Sequence, residues 1–273
     1  MKRLKKITFT IVAVVLIATF GYLMFSTHAN SVSNQPLREI YSNNKKAKLP
    51  VDFIPSTLHV TAIGDSLTQG VGDTTNQGGY LKYLQEDLVA LKGVKDVQVS
   101  NFGIKGQRSD QLLQRLKMNE VKESIKKADM VFITIGGNDI MKIVSNHFPN
   151  LQVDQFETEL VSYEKRLNTI FSEIAAENPD ATIVLIGLYN PFSEWFQEIK
   201  EFDAIIEDWN TAAREVVEQY DHAIFVNVSQ IFANPDENLL YEDHFHPNNK
   251  GYERISKKVF STILKHNDLK KWD

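Results

Sequence analysis

Leu58-His59-Val60-Thr61-Ala62-Ile63-Gly64-Asp65-Ser66-Leu67-Thr68 is the stretch on which the fold turns. A short apolar run ends in a glycine and a small polar triplet, as a buried strand does when it bends sharply into a helix. Four more runs share its length and its Val/Ile content: Val97–Phe102, Met130–Ile135, Thr182–Leu188 and Ala223–Val228. Amphipathic stretches lie between them. In the clearest, Phe156, Leu160, Tyr163, Leu167, Ile170 and Ile174 recur at steps of three or four until Asn178-Pro179 stops the pattern. A second covers about 107–127, and the last places Tyr252, Ile255, Val259 and Ile263 on one face. Strands alternating with helices predict a single doubly wound α/β domain around a five-stranded, mainly parallel sheet. Sites in such sheets lie beyond the carboxyl ends of the strands, near the switch in strand order.

The chain has 273 residues and no cysteine, which excludes disulfides, thiolate metal sites and a cysteine nucleophile. Its charge is divided unevenly. Residues 1–48 hold eight of the 30 Lys+Arg and a single acid, Glu39, leaving 22 basic against 34 acidic residues beyond them. An acidic body repels phosphate backbones, so no nucleic acid partner is expected.

Lys2, Arg3, Lys5 and Lys6 precede an uncharged run of 19 residues, Ile7–Phe25. The apolar part of a signal peptide usually spans about 7–15 residues, whereas a bilayer-spanning helix needs roughly 20. An uncleaved anchor is therefore favoured over a cleaved signal, for which Thr27-His28-Ala29 is a weak processing site. The basic start faces the cytoplasm and sends the body outwards. The expected organisation is a membrane segment over 1–25, a Ser/Asn/Lys/Pro-rich tether over 26–56 and one domain over 57–273.

Polar residues gather where the strands end. Asp65 or Ser66 caps a helix on one reading; on another, Ser66 is a hydroxyl presented at a helix N-terminus, where negative charge is favoured. Its surroundings depart from the usual nucleophile elbow, because Thr68 stands where that pattern has glycine. Gly136-Gly137-Asn138-Asp139 would aim the Asn138 amide from a tight turn, or simply close an Asx turn. In Asp243-His244-Phe245-His246-Pro247 a spacing of three brings Asp243 and His246 onto one side of a turn. Adjacent His244 points elsewhere, which favours His246 as the base. Pro247 suits the first turn of the helix that follows.

Over residues 57–266 the sequence resembles the SGNH hydrolases, also called the GDSL esterase/lipase family, through four blocks in the family's order. Gly64-Asp65-Ser66-Leu67 is similar to the name-giving block, which implies Ser66 as nucleophile. Gly106, in Ile104-Lys105-Gly106-Gln107, falls where the family supplies a backbone N–H to the oxyanion hole, and Asn138 where it supplies a side-chain donor. Asp243 and His246 match the Asp-x-x-His block as acid and base. The resemblance implies a three-layer fold, a Ser66–His246–Asp243 triad, and an oxyanion hole from the N–H groups of Ser66 and Gly106 with the Asn138 amide. It implies no metal and no cofactor. The expected partner is a small-molecule or lipid ester of the lipase or lysophospholipase type, with an O-acetylated glycan as the alternative.

Aromatics follow the fourth strand: Phe192, Trp195 and Phe196, then Phe202. Two roles compete for them, the wall of an acyl groove and ordinary core packing. Two further classes of protein compete with this reading. Asp65, Asn138, Asp139, His244 and His246 are the residue types of a two-metal phosphoesterase, but no Asp-x-His or His-Glu-x-x-His pair accompanies them and Ser66 would be idle. A catalytically silent binding module would have no use for intact motif positions.

Overall fold

Met130–Thr134 (β3) and Thr182–Ile186 (β4) are buried at every residue, as strands covered on both faces must be. The computed structural model describes residues 55–147, 150–191, 200–233 and 237–266. Within them Ser56–Gly64 (β1), Val94–Gly103 (β2), β3, β4 and Ala223–Val226 (β5) form one sheet, parallel throughout, in the order β2-β1-β3-β4-β5. Chain order reverses between β1 and β3, so the switch point lies beyond their carboxyl ends.

The helices are Ser66–Gln69 (α1), Tyr80–Val89 (α2), Ser109–Arg115 (α3), Asn119–Lys127 (α4), Gly137–His147 (α5), Val153–Glu177 (α6), Lys200–Val217 (α7) and Asn249–Ile263 (α8). Strand periodicity divides the core between two faces. Val131 and Ile133 point into a cluster with Leu112, Val121, Ile140, Leu167 and Trp209 from α3 to α7. Met130 and Phe132, one residue out of phase, point into a cluster with Leu84 of α2 and Tyr252 and Val259 of α8. The result is a helix–sheet–helix sandwich of three layers.

Several boundaries depart from the sequence expectation. β2 begins at Val94, ahead of Lys95 and Asp96; as an edge strand it leaves those charges in water. β1 begins at Ser56, inside the stretch read as tether, because its N–H reaches the carbonyl of Gly93 at 3.1 Å. β4 stops at Ile186, two residues early, since the Asn210 side chain takes both the N–H and the carbonyl of Leu188. β5 likewise ends at Val226, where Asn227 accepts the N–H of Ser229 and turns the chain into the short 3-10 helix Ser229–Phe232. The single amphipathic stretch expected over 107–127 is two helices, broken at Leu116–Met118. From Leu116 to Val121 is a step of five, which turns a continuous helix about 140° and would swing Val121 off the sheet. The break restores the phase.

Among the described residues no helix is long and apolar enough to cross a membrane. The run Ile7–Phe25 and nearly all of the tether lie outside them.

Candidate active site

Gly64 ends β1 at φ +135°, and a Cβ there would stand 2.0 Å from the carbonyl oxygen of Thr134. Only glycine lets the chain turn this close to β3. Asp65 then caps α1, its carboxylate accepting the N–H of Leu67 at 3.1 Å and the Thr134 hydroxyl at 2.8 Å. Of the two capping alternatives, Asp65 is the one realised, and Ser66 is left with its hydroxyl uncommitted to the helix. Burial pushes the Asp65 carboxyl up to about 6, against the pull of the Thr134 and Leu67 hydrogen bonds.

The Ser66 hydroxyl lies 2.8 Å from Nε2 of His246, although 180 residues separate them in the chain. Nδ1 of His246 lies 2.6 Å from Oδ2 of Asp243. The other carboxylate oxygen of Asp243 accepts the N–H groups of Phe245 and His246 at 3.0 and 2.9 Å, so the spacing of three closes as a tight turn. Burial alone would raise the Asp243 carboxyl; the hydrogen bond and charge of His246, with the two N–H donors, outweigh it and hold the group below its ordinary value. His246 and Ser66 are 6% and 3% exposed, whereas His244 is exposed and sits at φ +52°. An antiparallel bridge between Leu240 and Pro247 pins the loop. Pro247 therefore lies before the cap and not in the first turn; α8 is capped by Asn248, which accepts the N–H of Gly251 at 3.0 Å.

Gly106 adopts φ +80°, a conformation side-chain-bearing residues rarely take. The Asn138 amide reaches across from the end of β3 and donates to the carbonyl of Gln107 at 3.0 Å. Among the described residues, the N–H groups of Ser66 and Gly106 donate to no protein acceptor, nor does a second hydrogen bond occupy the Asn138 amide. Open donors of this kind are what a developing oxyanion requires.

An apolar pocket, open to solvent, lies at Ser66. Ile140, Met141, Ile186, Leu188, Phe202 and Ile206 line it, together with Asn138 and Phe245. Phe202 answers to both roles proposed for the aromatics: it walls the pocket and meets Phe156 edge to face at 6.2 Å. Phe192, Trp195 and Phe196 lie outside the described residues. Sequence reasoning passed over Ile140, Met141 and Ile206. Their signal was present as helical spacing after Asn138 and after residue 200, but it is the same signal that any core-facing helix gives.

Of the five residues of the two-metal alternative, Asp65, Asn138 and His246 lie around Ser66, but the set does not come together as ligands. Asp139 is taken by Ser109 and Arg166, His246 has both ring nitrogens engaged, and His244 faces solvent. Among the described residues, no three His, Cys, Asp or Glu side chains cluster as metal ligands.

The model of the GDSL-like lipase/acylhydrolase family matches residues 62–254. The chain belongs to that family and is a carboxylic ester hydrolase. It is 40% identical over 208 residues to the uncharacterized protein YpmR of Bacillus subtilis (strain 168), covering 76% of this chain and 81% of that one. It is 28% identical over 211 residues to the spore germination lipase LipC of Bacillus licheniformis, covering 74% and 95%. The crystal structure of the lipase Lip_vut3 from goat rumen metagenome superposes with a TM-score of 0.68 at 25% identity, covering 75% of this chain and 97% of that one.

Proposed function

We propose that the protein is a serine hydrolase of the lipase type, cleaving esters whose acyl chain is longer than acetyl. The observation that carries the reading is the unbroken series of contacts Asp243–His246–Ser66, which ends on a serine in the lining of an apolar pocket. His246 Nε2 takes the hydroxyl proton as Ser66 Oγ bonds to the ester carbonyl carbon, and Asp243 stabilises the imidazolium. The carbonyl oxygen becomes an oxyanion and is met by the N–H groups of Ser66 and Gly106 and by the Asn138 amide. As the tetrahedral centre collapses, the C–O bond to the alcohol breaks and His246 returns the proton to the leaving oxygen. Water repeats the sequence on the acyl-enzyme, releasing the carboxylic acid and restoring Ser66.

The decisive test is Ser66→Ala. The variant should melt like the parent and lose nearly all turnover of p-nitrophenyl esters; full activity in it would remove the assignment. Deacetylation of O-acetylated glycans is the second reading, and it requires acetate to be the best acyl group in that assay. The apolar lining favours the first.

We also propose that Ile7–Phe25 anchors the protein with the catalytic body outside the cell, from the four basic residues that precede an uncharged, mainly apolar run of 19. The full chain should stay with membranes through high-salt and carbonate washes, and external protease should release an active body. Recovery from the medium with a new N-terminus near Asn30 would show a cleaved signal instead.

A further inference from the structure

Asp139 follows Asn138 on α5 and is 2% exposed, yet no step of the hydrolysis above uses it. A buried carboxylate is costly unless it is paired and hydrogen-bonded. Asp139 meets that condition through one neighbour above all, Ser109. Its Oδ2 accepts the Ser109 N–H at 3.0 Å and its Oδ1 accepts the Ser109 hydroxyl at 2.6 Å. Arg166 of α6 completes the group. Its Nε donates to Ser109 Oγ at 2.6 Å, while its Nη2 donates to Asp139 at 3.3 Å and to Glu159 at 2.6 Å. Ser109 is fully buried.

The place of Ser109 in the chain gives the cluster its meaning. It opens α3, three residues after Gly106 and two after Gln107. Gln107 is itself the residue whose carbonyl accepts the Asn138 amide. Two consecutive residues of α5, Asn138 and Asp139, thus hold two points of one loop, and Gly106 sits at the edge of that grip. The N–H of Gly106 and the amide of Asn138 come from the ends of different strands, β2 and β3, and no strand ladder joins these strands directly. The loop is also tied to the β1 side by the Ile104 N–H on the Gly64 carbonyl and the Lys105 N–H on the Gln69 side chain, but the contacts that tie it to α5 are those of Asn138 and Asp139.

We infer that Asp139, Ser109 and Arg166 are positioning residues that fix the Gly106 loop against Asn138 and so set the geometry of the oxyanion hole. The inference rests on the proposed serine mechanism. A displacement of about 1 Å at a reacting centre costs on the order of a hundredfold in rate, and an ester in its ground state gains little from the hole. Loosening the clamp should therefore lower kcat and leave KM nearly unchanged.

The experiment is a kinetic comparison of the full chain with Asp139→Asn, Ser109→Ala and Arg166→Lys on a p-nitrophenyl ester. Active sites are counted by complete labelling with a fluorophosphonate. Per labelled site, Asp139→Asn should lose roughly ten- to a hundredfold in kcat with KM within about twofold. Ser109→Ala, which keeps the backbone contact to Asp139, should lose less and serves if Asp139→Asn fails to fold. Arg166→Lys keeps the charge without the fork and should retain most of the rate. In an Asn138→Ala background the loss from Asp139→Asn should shrink, because one of the two donors whose spacing the clamp sets is gone, and the part carried by the Gly106 N–H should remain. Unchanged kcat per labelled site in both Asp139→Asn and Ser109→Ala would overturn the inference, as would losses that appear in KM alone or that multiply fully with Asn138→Ala. A parent enzyme that the fluorophosphonate fails to label at Ser66 would instead overturn the serine mechanism itself.

Discussion

The phenol of Tyr189 donates a 2.7 Å hydrogen bond to the carbonyl of Phe245, joining the pocket wall to the loop that carries Asp243 and His246. Tyr189 is buried and stacks on Phe232 with ring centroids 4.0 Å apart, so the phenol is held from behind. Tyr189→Phe keeps the packing and removes the bond. It should cost about 1 kcal/mol of stability, a melting point lower by a few degrees, and a several-fold loss of kcat/KM. Thermal melts and p-nitrophenyl ester kinetics check both. Unaltered values in both measurements would show that the loop's backbone contacts, among them the Leu240–Pro247 bridge and the Tyr241 N–H bond to the His246 carbonyl, hold it without the phenol.

The triad contacts lead to a graded set of losses. His246→Ala should remove most turnover while the fold persists, and Asn138→Ala should lower kcat by on the order of 100–1000-fold, the usual effect of one oxyanion donor. His244→Ala should be mild, since that side chain is exposed. Equal losses from His244→Ala and His246→Ala would reopen the choice of base.

How far the sequence could be read follows from which contacts are local. Asp243 and His246 meet within one turn, so their spacing alone foretold the 2.6 Å contact. The central strands β3 and β4 are apolar at nearly every position, and their type was plain. Ser66 and His246 lie 180 residues apart, and only the family resemblance joined them in advance. The clamp of Asp139 on Ser109 and Arg166 was invisible: each residue alone is an ordinary polar side chain, and their meeting depends on how α3, α5 and α6 pack on one face of the sheet. The break at Leu116–Met118 was missed for a related reason, because a step of five hides easily among steps of three and four.

Asp65 offers a prediction with a definite sign in pH. Its carboxyl, pushed up by burial from 3.8 to about 6, favours the protonated form in the folded protein. Below about pH 3 both folded and unfolded chains are protonated and there is no penalty; between about pH 4 and 6 the unfolded chain is ionised while the folded one still holds its proton, and stability falls. Above about pH 7 the full cost stands at about 3 kcal/mol. Asp65→Asn keeps an oxygen for Leu67 and Thr134 and removes the charge. It should gain up to that amount over the parent near pH 8 and almost nothing near pH 3. Urea melts at the two pH values decide it, and parallel curves for parent and variant would contradict the raised carboxyl.

The pocket leads to the last prediction, on acyl chain length. Ile140, Met141, Ile186, Leu188, Phe202 and Ile206 offer apolar surface beside Ser66, so each added methylene that enters should contribute about 0.8 kcal/mol, roughly fourfold in kcat/KM. The rise should stop when the pocket is full. Ile206→Trp would fill part of the space, and it should move the optimum to shorter chains while turnover of acetate, which barely enters, changes little. Overpacking carries its own cost of about 1–3 kcal/mol, so each variant needs a melt beside its kinetics. Met141→Ala should act in the opposite sense and favour longer chains. Trp195→Ala and Phe196→Ala extend the series to the aromatic segment: wall residues lose rate on medium chains only, whereas core residues lose stability and slow every chain alike. Esters from p-nitrophenyl acetate to dodecanoate supply the measurement. A flat profile in the parent, or one that peaks at acetate, would sink the acyl-pocket reading and return the enzyme to the deacetylases.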